Sequence, residues 1–275
     1  MKTHEVTGGA GLKLHVREWG PADGKCLLLI HGWSQNHLSW RCQFESALAD
    51  EFRIAALDLR GHGMSEKPAT PDAYTDSQLW ADDIKAIIDQ LGLDRPVLSG
   101  WSYGGLVISD YLRLHGQEKI SAVNYVCAAT NMNENAFGTE IGPGFLENFD
   151  NATAADLPTS LAGIRRFLQQ CFEVEPTPEC FEETLLFNAV VPASVRGFLA
   201  QRDIDNTDVL ESLTVPVLIT QGAKDIVVTP KSAEHIERHC STARLSMYKD
   251  IGHVPFVEDA ERFNQELADL ARSAS

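Results

Sequence analysis

Residues 97–105 read Val97-Leu98-Ser99-Gly100-Trp101-Ser102-Tyr103-Gly104-Gly105. The stretch begins as an apolar run typical of a buried strand, and the residues after it, as far as about His115, favour a helix. A serine flanked by glycines two positions away, on a strand-to-helix turn, is held in a strained backbone conformation with its hydroxyl above the sheet. The pattern predicts that Ser102 is a nucleophile and that the Tyr103 N–H, at the helix start, faces a developing oxyanion. A turn with a packing role only is the alternative.

Strand and helix signals alternate on both sides of this turn. A glycine-rich turn over 8–11 precedes an alternating strand and predicts an N-terminal hairpin. Apolar runs predict strands at 12–16, 25–30, 53–57, 97–99, 122–128, 215–220 and 245–248, and helical periodicity predicts helices over 38–50, 77–91, 104–115 and 258–272. Strands separated by such helices imply right-handed crossovers, so we expect an α/β fold with a mostly parallel, doubly wound sheet flanked by helices.

The alternation stops at Thr130 and resumes at Val215. The intervening residues contain helical patches, at 163–171 and 178–188, but no good strand. An insertion of this size between two core strands predicts a helical cap over the C-terminal edge of the sheet, where open α/β folds bind ligands. We therefore expect a core formed by residues 1–130 and 215–275, and a cap formed by residues 131–214.

A nucleophilic serine needs a base to take its proton and a carboxylate to orient that base. Of the nine histidines, only His253 lies where the fold would supply one, in the loop between the last strand and the last helix. Asp225 lies in a glycine-containing loop after the penultimate strand. The chain order Ser102, Asp225, His253 is the one expected for this architecture. Taken singly, Asp225 is equally consistent with a helix N-cap and His253 with a surface loop residue.

Five motifs carry a resemblance to a known family. They are His31-Gly32-Trp33, Asp58-Leu59-Arg60-Gly61-His62-Gly63-Met64-Ser65, the turn at Ser102, Gly222-Ala223-Lys224-Asp225 and Gly252-His253. Outside the cap, essentially the whole chain resembles the α/β-hydrolase superfamily, in particular the group of esterases, cofactor-free haloperoxidases or perhydrolases, and enol-lactonases. The resemblance implies that the Trp33 N–H is a second oxyanion donor beside the Tyr103 N–H. It also implies that His31 and the 60–63 turn mainly stabilise loops.

These residues predict a serine hydrolase that cleaves carboxylic esters or lactones through an acyl-enzyme, with peracid formation if peroxide replaces water. Dehalogenases of the superfamily carry aspartate where this chain has Ser102, so halide chemistry is not expected. Residues 31–37 faintly resemble a loop of the cofactor-free quinolone dioxygenases, which share the fold and act on a heteroaromatic substrate. The presence of Asp225 and the lack of a carboxylate in 125–130 favour hydrolysis. That dioxygenase, and a ligand receptor with little turnover, remain the alternatives.

Four aromatic residues are candidates for the walls of an apolar pocket: Trp33, Trp101, Tyr103 and Phe145. For Trp101 and Phe145, core packing is an equal alternative. The pocket predicts a small, largely apolar substrate. Residues 131–214 contain 14 acidic and four basic residues, most of which we expect on a solvated outer face. Acidic side chains that face inward would disfavour substrates carrying a carboxylate.

Composition restricts the partners and the compartment. The 275 residues are 44% hydrophobic and 23% charged, with a formal charge of −16, so nucleic acid and anionic membrane surfaces are poor partners. No signal peptide or membrane span is visible, and six scattered cysteines fit neither a zinc ribbon nor a disulfide scaffold. We expect a reduced, cytoplasmic protein.

His235 and His239 stand four residues apart without a third ligand, so we predict no metal and no cofactor. The oligomeric state stays open.

Overall fold

The computed structural model describes residues 1–274 and contains an eight-stranded sheet. The strands are β1 (Lys2–Thr7), β2 (Lys13–Trp19), β3 (Cys26–Ile30), β4 (Arg53–Leu57), β5 (Val97–Trp101), β6 (Ala122–Val126), β7 (Val217–Gly222) and β8 (Ala243–Tyr248). Their order in the sheet is β1-β2-β4-β3-β5-β6-β7-β8. β2 pairs antiparallel with β1 and β4, and the pairs from β4 across to β8 are parallel. The predicted α/β fold with a mostly parallel sheet is confirmed.

The pairing register brings the ends of the parallel strands to one edge of the sheet. Ile30, the last residue of β3, pairs with Gly100 on β5, and Trp101, the last residue of β5, pairs with Val126 on β6. Every residue of β3, β5 and β6 is buried, as expected for parallel strands covered by helices on both faces. The loops that leave these strands therefore meet above the same edge.

Helices cover the sheet on both faces. In the described residues they are α1 (Arg41–Phe44), α2 (Leu48–Glu51), α3 (Asp72–Thr75), α4 (Ser77–Leu91), α5 (Gly104–His115), α6 (Pro143–Ala152), α7 (Leu157–Cys171), α8 (Pro178–Ala189), α9 (Ala193–Leu199), α10 (Thr207–Ser212), α11 (Pro230–His239), α12 (Pro255–Glu258) and α13 (Ala260–Ser273). The helices predicted over 77–91 and 104–115 are confirmed by α4 and α5. None of the helices in residues 1–274 combines the length and apolar character that crossing a membrane requires.

Two predicted helices differ from the structure. The single helix expected over 38–50 is wrong, because this segment divides into a 3₁₀ turn (His37–Trp40), α1 and α2. Ser46 explains the break: its hydroxyl donates to Gln43 O (2.7 Å) and accepts from the Leu48 N–H (3.2 Å), which competes with a continuous helix. The helix expected over 258–272 is found as α13, which begins two residues later because Asp259, with ψ 59°, separates it from α12.

Helices α6 to α10 occupy the chain between β6 and β7, and none of the eight strands falls within residues 131–214, which we call the cap segment. α6 and α7 approach closely, since a Cβ on Gly163 would lie 2.4 Å from Ala152 N. Arg196 is buried among these helices and donates to Ala152 O (2.8 Å) and Ser160 Oγ (2.6 Å). Burial lowers the pKa of Arg196 to about 10. The division into core and cap domains stays a prediction.

Charged side chains join the cap segment to the sheet and its helices. Arg202 and Asp110 of α5 form a buried ion pair at 2.6 Å. Arg41 of α1 forms a two-pronged ion pair with Glu183 of α8, in which Nη2 lies 2.7 Å from Oε1. A buried pair loses several kcal/mol when one partner is removed, because the other charge is left uncompensated. Arg202 and Asp110 therefore fix the end of the cap segment against α5.

Candidate active site

Ser102 occupies the turn between β5 and α5 in a left-handed conformation, with φ 55°. Its N–H donates to Val126 O at 3.0 Å. The turn is too tight for side chains on either flank. A Cβ on Gly100 would lie 2.7 Å from Gly104 O, and a Cβ on Gly104 would lie 2.6 Å from Ile30 O. The two glycines therefore permit the strained conformation that the sequence predicts for Ser102.

Asp225 and His253 form a buried hydrogen-bonded pair. His253 Nδ1 lies 2.7 Å from Asp225 Oδ2, and both side chains are at most 1% exposed. The other carboxylate oxygen, Oδ1, accepts the N–H groups of Val227 (2.8 Å) and Val228 (3.0 Å). Gln221 Nε2 approaches Oδ2 at 3.3 Å. Three fixed donors besides the imidazole thus determine the orientation of the carboxylate.

His253 is held by its backbone as well as by its ring. Its N–H donates to Cys171 O (2.9 Å), its carbonyl accepts from Trp101 Nε1 (2.9 Å), and its ring lies 5.4 Å from the Trp101 ring. Because Nδ1 faces Asp225, Nε2 is the nitrogen left to exchange a proton. Nε2 is buried and has no hydrogen-bond partner in residues 1–274, Ser102 Oγ included. The hydrogen bond between a serine hydroxyl and the imidazole that serves as its base is often long before substrate binds.

Two backbone N–H groups near Ser102 have free hydrogens. The Trp33 N–H and the Tyr103 N–H donate to no acceptor within the described chain. The loop that carries Trp33 passes directly over the serine, since a Cβ on Gly32 would lie 3.0 Å from Ser102 Cβ. Tyr103 is the N-cap of α5, so the helix dipole adds to the local positive potential. An anion beside Ser102 would find both donors available.

His62 shapes the loop that carries Trp33. Its Nδ1 lies 2.9 Å from Arg60 O, and its Nε2 accepts the Ser34 N–H at 3.2 Å. The second contact holds Ser34 in a left-handed conformation, with φ 62°, directly after Trp33. This neutral tautomer, with Nδ1–H as donor, agrees with the loop-stabilising role that the resemblance implies for His62.

His31 makes the same kind of bridge. Its Nδ1 lies 2.8 Å from Gly32 O, and its Nε2 accepts the Leu59 N–H at 3.0 Å. Both rings are fully enclosed, and burial is the main reason that their pKa values fall, to about 4 for His31 and about 3 for His62. Both imidazoles are therefore neutral at pH 7, and each has used both of its nitrogens.

The ring of Tyr103 is anchored from the cap segment, a contact that the sequence did not predict. Arg202 Nη1 lies 3.2 Å from the Tyr103 hydroxyl, and the same guanidinium binds Asp110 through Nη2. Its charge also lies 5.7 Å from the centre of the Trp80 ring. No motif marks Arg202, because its partners are about 92 to 125 positions away in the chain. The ion pair therefore helps to fix Tyr103, the residue that directly follows Ser102.

A small apolar cavity of about 30 Å³ lies at Ser102. Its walls include Trp33, Tyr103 and Phe145, as predicted, together with Ala129, Met132, Ile141, Phe167, Ala200, Val227 and Val228. Trp33 packs edge-to-face on Phe145 and Phe167, with ring centres 5.2 Å apart in both pairs. The sequence pattern did not single out Phe167, although it lies in the helical patch predicted over 163–171. The valines follow Asp225 by two and three residues.

The structure does not bring Trp101 into this cavity. Trp101 instead packs edge-to-face on Phe256, with ring centres 4.9 Å apart, and helps to line a second cavity of about 370 Å³. The second cavity lies between α1 and α12 on one side and α7 and α8 on the other. Its acidic lining residues are Glu179 and Glu183. Trp101 therefore packs against His253 and lines the larger cavity instead of the one at Ser102.

The histidine pair on α11 does not assemble a metal site. His235 lies 3.6 Å from Glu140, and His239 lies 2.9 Å from Glu211, so each faces its own acid. In the described chain, potential ligands meet in groups of three or more at Asp225 with Cys127 and His253, and at Asp58 with His15 and His37. The first group is the site itself. In the second, one oxygen of the Asp58 carboxylate already accepts both the backbone and the ring N–H of His37.

These features define a class of protein. The sheet, the serine turn and the Asp225–His253 pair are those of an α/β hydrolase, and residues 25–260 match the family described as the alpha/beta hydrolase fold. The chain belongs to that family.

Several similar proteins are named as esterases. A structure assigned as an aryl esterase from Burkholderia cenocepacia is 34% identical, with a TM-score of 0.94, and the match covers 98% of each chain. An esterase from Rhodococcus sp. ECU1013 is 30% identical, with a TM-score of 0.92 and full coverage of both chains. A bifunctional esterase/perhydrolase of Acinetobacter calcoaceticus is 28% identical over 98% of this chain and 99% of its own. Esterase and perhydrolase relatives support a hydrolase.

Proposed function

We propose that this chain hydrolyses carboxylic esters, lactones included, through an acyl-enzyme on Ser102. His253 Nε2 takes the Ser102 proton as Oγ attacks the ester carbonyl. The resulting oxyanion accepts the N–H groups of Trp33 and Tyr103, and Asp225 stabilises the imidazolium. His253 then gives its proton to the leaving alcohol, and water resolves the acyl-enzyme by the reverse proton path.

The buried pair of Asp225 and His253 is the observation that carries this proposal. A 2.7 Å contact fixes Nδ1–H on the carboxylate, which leaves the lone pair of Nε2 as the base. Among the described residues Nε2 is enclosed and has no hydrogen-bond partner, an arrangement that costs free energy and that a catalytic role would explain. Asp225 is not the N-cap of α11, a role that belongs to Thr229.

The substrate that we propose is small and largely apolar. The cavity at Ser102 is lined mainly by aliphatic and aromatic side chains and offers only about 30 Å³, which suits a short acyl group. The cap segment supplies part of this lining, including Phe145 and Phe167, so we take residues 131–214 as the domain that sets specificity. None of the acidic residues of the cap segment is among the described residues that line this cavity, so we propose no discrimination against carboxylate-bearing substrates on the basis of their charge.

Peracid formation is a second activity of the same site. If hydrogen peroxide replaces water in resolving the acyl-enzyme, the acyl group leaves as a peracid and Ser102 recovers its proton. The relative named as a bifunctional esterase/perhydrolase favours this addition.

Turnover of 4-nitrophenyl acetate by the wild type and by Ser102→Ala tests the proposal. We expect many turnovers per wild-type molecule and a loss of at least about 10³-fold in kcat for the variant. Ser109→Ala, a buried serine on α5, is the matched control and should keep its activity. A fluorophosphonate should label Ser102, as located by mass spectrometry.

Other outcomes would identify the alternatives. A single burst of nitrophenol without turnover would indicate a receptor with an acylatable serine. Oxygen consumption and carbon monoxide release from a heteroaromatic substrate, without a cofactor, would indicate the dioxygenase. Activity of Ser102→Ala within a few-fold of the wild type would overturn the assignment of the nucleophile.

A further inference from the structure

Glu258, at the end of α12, accepts three backbone hydrogen bonds that are not part of its helix. Oε2 accepts the Gly252 N–H at 2.9 Å, and Oε1 accepts the N–H groups of Glu173 (2.8 Å) and Val174 (2.7 Å). The side chain is half-buried, and burial raises the pKa of Glu258, while the three donors oppose that shift. The carboxylate therefore joins two separate stretches of chain.

The two stretches are the His253 loop and the end of α7. Gly252 directly precedes His253, whose own N–H donates to Cys171 O, the last residue of α7, at 2.9 Å. Contact between the stretches is close, since a Cβ on Gly252 would lie 2.9 Å from Cys171 O and 3.0 Å from Glu173 N. Consecutive N–H groups at 252 and 253 are thus both tied to residues 171–174, one directly and one through Glu258.

We propose that Glu258 is a positioning residue. It fixes the backbone of His253 to the end of α7, so that the cap segment holds the imidazole in position beside Ser102. This inference rests on the proposed function. Charge-assisted bonds to backbone N–H groups are short and directional, so a carboxylate suits this role better than an amide. An amide in its place has one acceptor oxygen and would direct an NH₂ group at either Gly252 N or the pair at 173 and 174.

Glu258→Gln tests the proposal because it keeps size and removes one acceptor. We expect kcat for 4-nitrophenyl acetate to fall about 10- to 100-fold, the scale of a misplacement near 1 Å, with KM within about three-fold. Glu258→Asp, which keeps the charge, should recover part of the loss. Glu261→Gln, an exposed carboxylate one turn further on, is the matched control and should be unchanged.

Two further measurements keep the outcome independent of folding and of the proposed function. Circular dichroism and the thermal midpoint should show Glu258→Gln folded at the assay temperature. The low-field proton resonance of His253 Nδ1–H, bonded to Asp225, should shift or broaden in Glu258→Gln but not in Glu261→Gln. An unchanged resonance together with kcat within two-fold of the wild type would overturn the positioning role. An inactive wild type with no fluorophosphonate adduct on Ser102 would instead overturn the proposed function.

Discussion

Replacing Asp225 by asparagine tests the proton path most directly. Asparagine keeps the shape of the side chain but offers one acceptor oxygen where aspartate offers two. Oδ1 of Asp225 accepts two backbone N–H groups, at Val227 and Val228, whereas Oδ2 faces His253. The single amide oxygen of asparagine can therefore face either His253 or the two valine N–H groups, but not both.

The structure sets the direction of that choice. Turning the NH₂ group toward Val227 and Val228 would leave two buried N–H groups facing donors, at a cost of about 1–3 kcal/mol each. The favoured orientation therefore points NH₂ at His253 Nδ1, which forces the proton onto Nε2. That tautomer cannot accept the Ser102 proton. With a preference of about 2–6 kcal/mol, the active orientation is populated about 30- to 10⁴-fold less, and kcat should fall accordingly.

Steady-state hydrolysis of 4-nitrophenyl acetate, with active sites counted by fluorophosphonate labelling, would measure this loss. KM should change little, because the carboxylate lies behind the imidazole. Asp250→Asn is the matched control: it removes an exposed carboxylate from the same loop as His253 and should leave kcat unchanged. A folded Asp225→Asn variant with kcat within five-fold of the wild type would refute the reasoning.

Two further predictions concern stability. In the folded protein the pKa values of His31 and His62 are about 4 and about 3, against 6.5 in the unfolded chain. Between pH 6.5 and 4 the unfolded chain therefore binds protons that the folded protein does not. The free energy of unfolding should fall as the pH drops through this range. In urea titrations between pH 7 and 5, the free energy of unfolding of His62→Gln should fall by about 2 kcal/mol less than that of the wild type. Equal decreases would contradict the assignment of His62 as a neutral imidazole in the folded protein. Gly100→Ala would put a Cβ 2.6 Å from Ile108 Cδ1 and 2.7 Å from Gly104 O, and should cost about 1–3 kcal/mol or more of unfolding free energy. Gly197→Ala is its control, because outside its own helix the nearest described atom to the new Cβ, Thr153 Cβ, is 4.0 Å away; this variant should be neutral or stabilising in the same urea titration, and equal destabilisation of both variants would refute the steric argument.

Local patterns were sufficient where a single segment decides its own structure. The amphipathic helix over 77–91 is found as α4 because Asp76 caps its N-terminus and Gly92 ends it in a left-handed conformation. The serine turn at Ser102 is local in the same sense, since Gly100 and Gly104 are within two residues. The helix over 38–50 failed because periodicity does not register a serine whose hydroxyl competes for the backbone.

Contacts between segments that are far apart in the chain could not be predicted from the sequence. Arg202 reaches Tyr103 and Asp110 from the other end of the cap segment, and Phe167 enters the cavity only because α7 packs over Trp33. Trp101 was a candidate for the pocket wall, with core packing as an equal alternative. Trp101 is the last residue of β5, whereas Ser102 lies in the left-handed turn that follows, and the Trp101 ring packs against His253 and Phe256.

The sequence by itself determined the α/β-hydrolase scaffold and the identity of the candidate nucleophile, acid and base, because strand ends and their loops follow from hydrophobic periodicity and glycine spacing. Only the tertiary structure decided how Asp225 divides its oxygens between an imidazole and two backbone N–H groups, how little space surrounds Ser102, and that Glu258 ties the His253 loop to α7. Those features depend on how closely segments far apart in the chain approach one another, which no pattern within one segment encodes.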